Sequence, residues 1–235
     1  MPAKYRIKSY TENSYFHLYN RGVEKRSIFL DDEDYAVLFS YLKSYLLPKD
    51  EAELYSVLLD PLASWREKDK AKKLLRMNNF YGVIKLHAVS LMPNHFHFLL
   101  YQTRGTGIDE FMNSLWTRYT MYFNKKYDRV GTLFQSVYKA VQVMSDDQLL
   151  HLSRYIHRNI IAKRKIRNLT SQGQALRSYS WSSYKEYVGM RRTEWIDPSV
   201  ILGFWNTEGR AEKYENFVLE ADNEESASII APVII

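Results

Sequence analysis

Two histidines one residue apart, His95 and His97, are the residues whose types and spacing most clearly favour chemistry. They lie in a run of alternating apolar side chains, which is typical of a strand. Successive strand side chains point to opposite faces, so both imidazoles share one face, while Phe96, Phe98 and Leu100 share the other. Two adjacent imidazoles form half of a divalent-metal site. On its own the motif also fits a packed pair of structural histidines.

A tyrosine and an amide stand one helical turn apart farther along the chain. From about Asp146 the apolar residues recur at helical spacing, and Tyr155 and Asn159 lie beside that buried stripe. Two imidazoles and an amide oxygen can hold Mg²⁺ or Mn²⁺, with positions left for water and phosphate. A phenolate can then attack phosphorus. With 19 tyrosines in the chain, packing stays the alternative for Tyr155 alone, and His151 and His157 are interpreted as surface or packing residues.

Composition excludes several classes of protein. The chain has 235 residues with an apolar share of 46%, which predicts one large domain or one domain with appendages. It has no cysteine, so disulfides and thiolate metal sites are excluded, and a reducing cytoplasm is favoured. No segment approaches 18 consecutive apolar residues, so we expect no transmembrane helix. The first eight residues lack the apolar stretch of a signal peptide.

The charge balance points to an anionic partner. The formal net charge is +6, and aromatic residues are interleaved with lysine and arginine. That combination suits single-stranded nucleic acid, whose bases can stack on aromatic rings. Packing explains most of the tyrosines equally well. We therefore expect a nucleic-acid partner, no membrane partner and a cytoplasmic, nucleoid-associated protein.

The order of the predicted elements indicates the fold. Apolar periodicity and turn residues predict strands near 15–19, 81–91, 95–100 and 133–143, and helices near 31–46, 108–127 and 146–163. The order strand, helix, strand, strand, helix, strand, helix is that of an α+β protein with a ferredoxin-like antiparallel sheet. Such a sheet, covered by helices on one face, leaves the other face free for a ligand. Residues 48 to 79 are predicted to form a charged helical insertion.

Several motifs, in this order, resemble the single-tyrosine HUH transposases, and in particular their REP-associated tyrosine transposase branch. The segments Pro93–His97 and Tyr155–Asn159 carry most of this resemblance. His17–Gly22 resembles the first strand and turn of the family, Tyr122–Gln135 the segment before the last strand, and Trp181–Tyr184 a signature after the catalytic helix. The resemblance spans roughly residues 14 to 188.

The resemblance implies an endonuclease that cleaves and rejoins single-stranded DNA during transposition. It implies that His95 and His97 are metal ligands for Mg²⁺ or Mn²⁺, that Asn159 is the third protein ligand, and that Tyr155 is the nucleophile forming a 5′-phosphotyrosine intermediate. The chain departs from the family pattern at Ile160, where the family usually has proline after the asparagine. Isoleucine continues a helix that proline would disturb. The insertion is also longer than the family pattern.

These observations predict the domain organisation. Residues 1–188 are expected to form the catalytic domain, including the insertion, and residues 189–235 a helical C-terminal extension and tail. From Asn223 the sequence is acidic and then apolar without periodicity. Disorder and docking onto the body of the protein are both left open for this tail, which is predicted to be dispensable for the chemistry.

The predicted partner is single-stranded or hairpin DNA, bound by a monomer or a homodimer. The candidate phosphate contacts are Arg21, Arg118, Lys125, Lys126, Lys139 and Arg158. Two rival interpretations stay open. One is a non-catalytic nucleic-acid-binding module, because ferredoxin-like sheets with aromatic strands also bind RNA. The other is an HUH nickase that serves the host rather than transposition.

Overall fold

A four-stranded antiparallel sheet forms the centre of the protein in the computed structural model, which describes residues 10–205, 208–220 and 224–233. The strands are β1 (Ser14–Arg21), β2 (Ile84–Met92), β3 (His95–Gln102) and β4 (Lys139–Gln142). Their order across the sheet is β2-β3-β1-β4, and all neighbours are antiparallel. The predicted α+β class with a ferredoxin-like sheet is confirmed.

Ten α-helices surround this sheet within the described part of the chain. They are α1 (Asp32–Leu46), α2 (Glu51–Leu59), α3 (Trp65–Arg76), α4 (Gly107–Lys126), α5 (Asp146–Arg164), α6 (Leu169–Ser178), α7 (Tyr184–Tyr187), α8 (Ser199–Leu202), α9 (Arg210–Leu219) and α10 (Glu224–Ile230). Helix α1 begins with a capping box at Asp31, and Ser145 caps α5 through the backbone N–H of Gln148. No helix among these residues is long and apolar enough to cross a membrane.

One face of the sheet carries the larger core, against α1 and α4. Phe96, Phe98 and Leu100 of β3 are fully buried there, as the strand alternation predicts. The ring of Phe96 stacks on Trp116 of α4 with centroids 4.1 Å apart. Packing these side chains on one face leaves His95 and His97 on the other.

The opposite face is covered in part by α5 and the C-terminal helices. Ala88 of β2 and Leu99 of β3 pack there with Ile156 and Ile160 of α5 in a second core, which also contains Tyr214 of α9. The expectation that this whole face stays open is therefore corrected, because the apolar stripe of α5 is buried on it. The domain boundary at residue 188 stays a prediction, although residues beyond it contribute to this core.

Polar contacts inside the second core fix the position of α5. The imidazole of His157 bonds through Nε2 to Ser183 Oγ at 2.7 Å and through Nδ1 to the Tyr214 hydroxyl at 2.6 Å. Ser183 Oγ in turn accepts the backbone N–H of Val89 in β2 at 2.9 Å. The Trp181–Tyr184 motif thus ties α5 to the sheet. His157 is a packing residue, as interpreted from the sequence.

The last predicted strand is shorter than expected. Only Lys139–Gln142 pairs with β1, whereas residues 133–138 form an irregular loop. The physical reason is that the Asn20 side chain of β1 takes the place of a backbone partner. Its Nδ2 donates to the carbonyl of Ser136 at 2.8 Å. Only an isolated bridge between Gly22 and Phe134 continues the pairing. This loop borders the candidate site.

The predicted insertion and tail both contain helices. Helices α2 and α3 pack on each other, and their surfaces are mostly exposed. In the tail, α10 packs against α5, and Ile230 lies against the second core. Docking rather than disorder therefore describes residues 224–233, whereas residues 223, 234 and 235 lie outside the described part.

Acid is expected to destabilise the protein through its buried neutral histidines. Burial lowers the pKa of His157 to about 3, whereas an unfolded histidine titrates near 6.5. Below about pH 6.5 the unfolded chain therefore binds the proton that folded His157 excludes, and stability falls until the pH reaches the folded pKa. Between pH 6.5 and pH 5 this histidine alone should cost about 1.5 kcal/mol.

Urea unfolding of the wild type and His157→Gln across this pH range measures the effect. The variant should be less stable at neutral pH, because it loses hydrogen bonds, but its stability should depend less on pH. His151→Gln, at a half-buried position of the same helix, is the control and should keep the wild-type dependence. An unchanged pH dependence in His157→Gln would contradict the prediction.

Candidate active site

The predicted catalytic side chains surround one cavity of about 230 Å³. Strand β3 supplies His95 and His97, and α5 supplies Tyr155 and Asn159. The rest of its wall consists of Tyr19, Asn20, Arg21, Gln135, Ser136 and Lys139. The structure therefore brings together the four residues that the sequence analysis combined from two distant segments.

Each histidine of the pair has its Nδ1 atom in a hydrogen bond. His95 Nδ1 lies 2.7 Å from Asn94 Oδ1, and His97 Nδ1 lies 2.9 Å from His17 Nε2. An amide oxygen only accepts, so the proton of neutral His95 is on Nδ1 and its Nε2 is an acceptor. Metal-binding histidines are commonly held in this way by a partner on the second ring nitrogen.

The surroundings of His95 Nε2 fit a cation. This atom faces Asn159 Oδ1 at 3.4 Å, while Asn159 Nδ2 donates to the Tyr155 carbonyl at 3.1 Å. Two acceptors therefore face each other with no hydrogen between them, and a divalent ion would satisfy both. His97 lines the same cavity, with its ring centroid 5.2 Å from that of His95. Two imidazole nitrogens and one amide oxygen suit Mn²⁺ or Mg²⁺ when water and phosphate complete the shell.

The described residues contain no metal cluster built from histidine, cysteine and carboxylate side chains alone. No group of three or more histidine, cysteine, aspartate or glutamate side chains in that part of the chain could hold an ion. A metal at His95 and His97 therefore depends on an amide rather than a carboxylate for its third protein ligand. Such a set carries no negative charge, so phosphate oxygens would be strong additional ligands.

Burial keeps both histidines in the neutral form that a metal requires. It lowers the pKa of His95 to about 4, against a smaller opposing contribution from Asn159 and with a further lowering by Arg21. Burial also holds the pKa of His97 well below its usual range, and the neighbouring histidines and Arg21 add to this effect. At neutral pH both rings are therefore unprotonated on one nitrogen and can act as ligands.

Tyr155 extends from α5 over the histidine rings. Its ring meets that of His97 edge-on, with centroids 5.5 Å apart. Burial raises the pKa of its hydroxyl, while Asn159 and Arg21 act in the opposite direction. The phenol is therefore protonated at neutral pH, and a nucleophilic role requires removal of its proton during the reaction.

Strand β1 adds three residues to this face that sequence reasoning did not assign to the site as a group. His17, Tyr19 and Arg21 alternate along β1 and therefore share a face. In the β1–β3 pairing Tyr19 lies opposite His97, and Arg21 lies opposite His95. The same alternation that placed the two histidines could have identified this set. Its position beside β3 depends on strand register, which the sequence does not reveal.

Two of the six candidate phosphate contacts lie at the cavity. Arg21 and Lys139 both line it. Lys139 Nζ also lies 5.7 Å from the ring centroid of Tyr19. These two cations can therefore meet a phosphate group that enters beside Tyr155.

The other four candidate phosphate contacts lie outside this cavity, although Arg158 lines a second cavity together with Tyr155 and Asn159. The guanidinium carbon of Arg118 lies 4.4 Å from the ring centroid of Tyr41. Lys125 is exposed near the end of α4. Lys126 forms ion pairs with three carboxylates at the start of α1. Arg158 donates to backbone carbonyls at the end of α9. Their role as DNA contacts stays a prediction.

A second cavity of about 650 Å³ adjoins the first on α5. Tyr155 and Asn159 line both cavities. Its wall includes the basic residues Lys165 and Arg167, and Ile230 of α10 closes part of it. A chain of phosphates could therefore continue past Tyr155 onto this surface.

The comparisons with known proteins bear on these residues directly. A family model described as "Transposase IS200 like" matches residues 63–159. This range includes both histidines of the pair and ends at Asn159. Over these residues the chain is similar to IS200-like transposases. The resemblance to transposases that was found in the sequence is thereby confirmed over these residues.

The matched segment covers part of the site. It contains α3, β2, β3, α4, β4 and most of α5, and hence His95, His97, Tyr155 and Asn159. Strand β1 lies before it, and the helices that anchor α5 lie after it. The cavity is therefore completed by residues outside the matched segment.

One solved structure is similar to a large part of the chain. It is described as "Structure of the REP associates tyrosine transposase bound to a REP hairpin". The TM-score is 0.47 at 13% sequence identity, and the alignment covers 83% of this chain and 97% of that chain. No curated protein matches this chain.

Proposed function

We propose that the protein cleaves and rejoins single-stranded DNA through a covalent bond between Tyr155 and a 5′-phosphate. The observation that carries this proposal is the single cavity around which His95, His97, Asn159 and Tyr155 lie. These side chains supply neutral metal ligands beside a phenol. A metal-bound phosphodiester next to a phenol can undergo nucleophilic attack by the phenol oxygen. The similarity of residues 63–159 to IS200-like transposases supports a DNA substrate.

In the proposed step the Tyr155 hydroxyl oxygen bonds to phosphorus and the bond from phosphorus to the 3′-oxygen breaks. The phenol loses a proton and the departing 3′-oxygen gains one, so the products are a 5′-phosphotyrosine and a free 3′-hydroxyl. The ester bond energy is retained in the covalent link. A 3′-hydroxyl can therefore attack the phosphotyrosine and rejoin the DNA without another energy source.

His95, His97 and Asn159 would hold the divalent ion, which we propose to be Mn²⁺ or Mg²⁺. When bound, the ion supplies Lewis-acid stabilisation of charge on the phosphoryl oxygens. Arg21 would bind another oxygen of the same phosphate, because it lies opposite His95 at the cavity. Asn159 also holds Tyr155, since its amide nitrogen donates to the tyrosine carbonyl.

The substrate we propose is single-stranded DNA, including the single-stranded flank of a hairpin. Two cavities that share Tyr155 and Asn159 in their walls suit a flexible strand better than a rigid duplex. Lys139 and Arg21 offer cations at the first cavity, which Tyr19 also lines. One chain supplies the whole proposed catalytic set, so a monomer is sufficient for one cleavage event.

Competition binding and adduct formation at several salt concentrations test the substrate class. Single-stranded or hairpin DNA should bind better than blunt duplex, and affinity should fall steeply with salt as counterions are released. Replacing Arg21 and Lys139 together by alanine should weaken binding and reduce the salt dependence by about 2 in logarithmic slope at most. Lys73→Ala, on the exposed face of α3, is the matched control. Equal affinity for duplex would contradict this substrate class.

Removal of residues 223–235 should leave cleavage at least as fast as in the wild type. The reason is that Ile230 closes the second cavity beside Tyr155, while no proposed catalytic group lies in the tail. Adduct formation by the truncated protein, with circular dichroism as the check on folding, measures this. A folded truncated protein that fails to cleave would assign the tail to the catalytic unit.

A further inference from the structure

We propose that His17 is a positioning residue that fixes His97 in the tautomer able to bind a metal. His17 lies on β1, outside the segment that matches the transposase family. Its role would be to accept a hydrogen bond from His97 Nδ1 and so leave Nε2 of His97 as the metal-binding nitrogen. The inference rests on the proposed function, because it concerns a ligand of the proposed metal.

The two rings are held against each other in the interior. His17 is fully buried and His97 nearly so. His17 Nε2 lies 2.9 Å from His97 Nδ1, and the rings are nearly parallel, with an angle of 17° and centroids 5.1 Å apart. The rings of Tyr19 and Tyr155 enclose His17 at centroid distances of 4.8 and 6.1 Å. This packing restricts rotation of either imidazole.

A hydrogen bond between two neutral imidazoles has two possible directions, and they have opposite consequences. If His17 donates, His97 carries its proton on Nε2, and that nitrogen has no lone pair for a metal. If His97 donates from Nδ1, its Nε2 lone pair is available to a ligand in the cavity. The proposed ligand role of His97 therefore requires His17 to be the acceptor.

His95, the other proposed metal ligand, has a comparable hydrogen bond on Nδ1, and that bond has only one possible direction. His95 Nδ1 bonds to Asn94 Oδ1, which can only accept. Both histidines of the pair thus have a partner on Nδ1, one an amide oxygen and the other an imidazole. Partners of this kind orient metal-binding histidines, and their loss typically reduces metal affinity about 10–100-fold.

Nitrogen-15 NMR of the metal-free protein, labelled at histidine, tests the direction of the bond without any cleavage. At neutral pH the wild type should show His97 protonated on Nδ1 and unprotonated on Nε2. Assignment of the signal comes from its loss in His97→Gln. A His97 ring protonated on Nε2 would overturn the proposal, whatever the variants of His17 do.

Titration of the intact protein with Mn²⁺ tests the consequence. In His17→Phe, which keeps an aromatic ring but has no acceptor, Mn²⁺ affinity should fall about 10–100-fold. In His17→Gln, whose amide oxygen can accept, affinity should recover at least in part. His87→Phe is the control, because His87 is also buried in the sheet but bonds to the backbone carbonyl of Asp197 rather than to His97. Wild-type affinity in a folded His17→Phe protein would overturn the proposal.

These outcomes are separate from those of the proposed function. A protein with the expected His97 tautomer that binds Mn²⁺ but forms no DNA adduct would contradict the proposed function and retain the role of His17. A protein that forms the Tyr155 adduct, yet binds Mn²⁺ equally well with phenylalanine at position 17, would do the reverse. If His17→Phe does not fold, the tautomer of His97 in the wild type still decides.

Discussion

Tyr155→Phe is expected to abolish the covalent protein–DNA adduct, with a loss of at least about a thousandfold. The substitution removes one hydroxyl and retains the ring that meets His97 edge-on. Folding and binding of single-stranded DNA should therefore stay close to those of the wild type. A denaturing gel with labelled oligonucleotide measures the adduct, and a binding assay on the same samples shows that DNA is still bound.

Tyr19→Phe is the matched control for this substitution. Tyr19 lines the same cavity, its ring lies 6.0 Å from that of His97, and burial raises the pKa of its hydroxyl as it does for Tyr155. If Tyr155 is the nucleophile because it lies on α5 beside Asn159, the Tyr19 variant should still form the adduct. If Tyr19→Phe loses the adduct and Tyr155→Phe keeps it, the nucleophile is Tyr19 of β1.

Removing both imidazoles of the proposed metal site should have an effect of similar size. The double variant His95→Ala, His97→Ala loses two of the three protein ligands, and metal stabilisation of a phosphoryl group contributes several kcal/mol, or about a thousandfold in rate. Chelation should inactivate the wild type, and added Mn²⁺ should restore it but not the double variant. His151→Ala, on α5 but outside the first cavity, is the control. Undiminished cleavage by the double variant would show that the reaction does not need His95 and His97.

The same site predicts how metal binding responds to acid. A histidine with the ordinary pKa would lose its metal as the pH falls through about 6.5. Burial lowers the pKa of His95 to about 4, so its neutral form persists to lower pH. Mn²⁺ affinity should therefore be nearly constant between pH 7 and 6. A steep loss in that interval would indicate that these rings titrate like exposed histidines.

Local patterns in the sequence were sufficient to predict which side chains share a face of β3 and of α5. Strand alternation assigned His95 and His97 to one face and Phe96 to the other, and helical spacing put Tyr155 and Asn159 side by side. These assignments depend on neighbours two to four residues apart, where backbone geometry alone decides. The order of the elements then predicted the ferredoxin-like sheet, because short antiparallel connections leave few alternatives.

Contacts between distant segments were not predictable in the same way. The bond between His17 and His97 depends on strand register and on the rotamers of two buried rings. Lys126 and Arg158 have the character of phosphate-binding residues in the sequence, but their partners lie 60 or more positions away. The loop at 133–138 was predicted as a strand because its residues favour one, whereas the Asn20 side chain binds its backbone instead. Tertiary structure decided each of these positions.

The most direct test of the proposed function is identification of the residue that becomes covalently linked to DNA. The wild type would be incubated with single-stranded DNA and Mn²⁺, the DNA trimmed by nuclease, and the tryptic peptides examined by mass spectrometry. We expect a nucleotide remnant joined through a 5′-phosphate to Tyr155, and none on the peptide that contains Tyr19. A remnant on any other residue, or cleaved DNA without a covalent adduct, would contradict it.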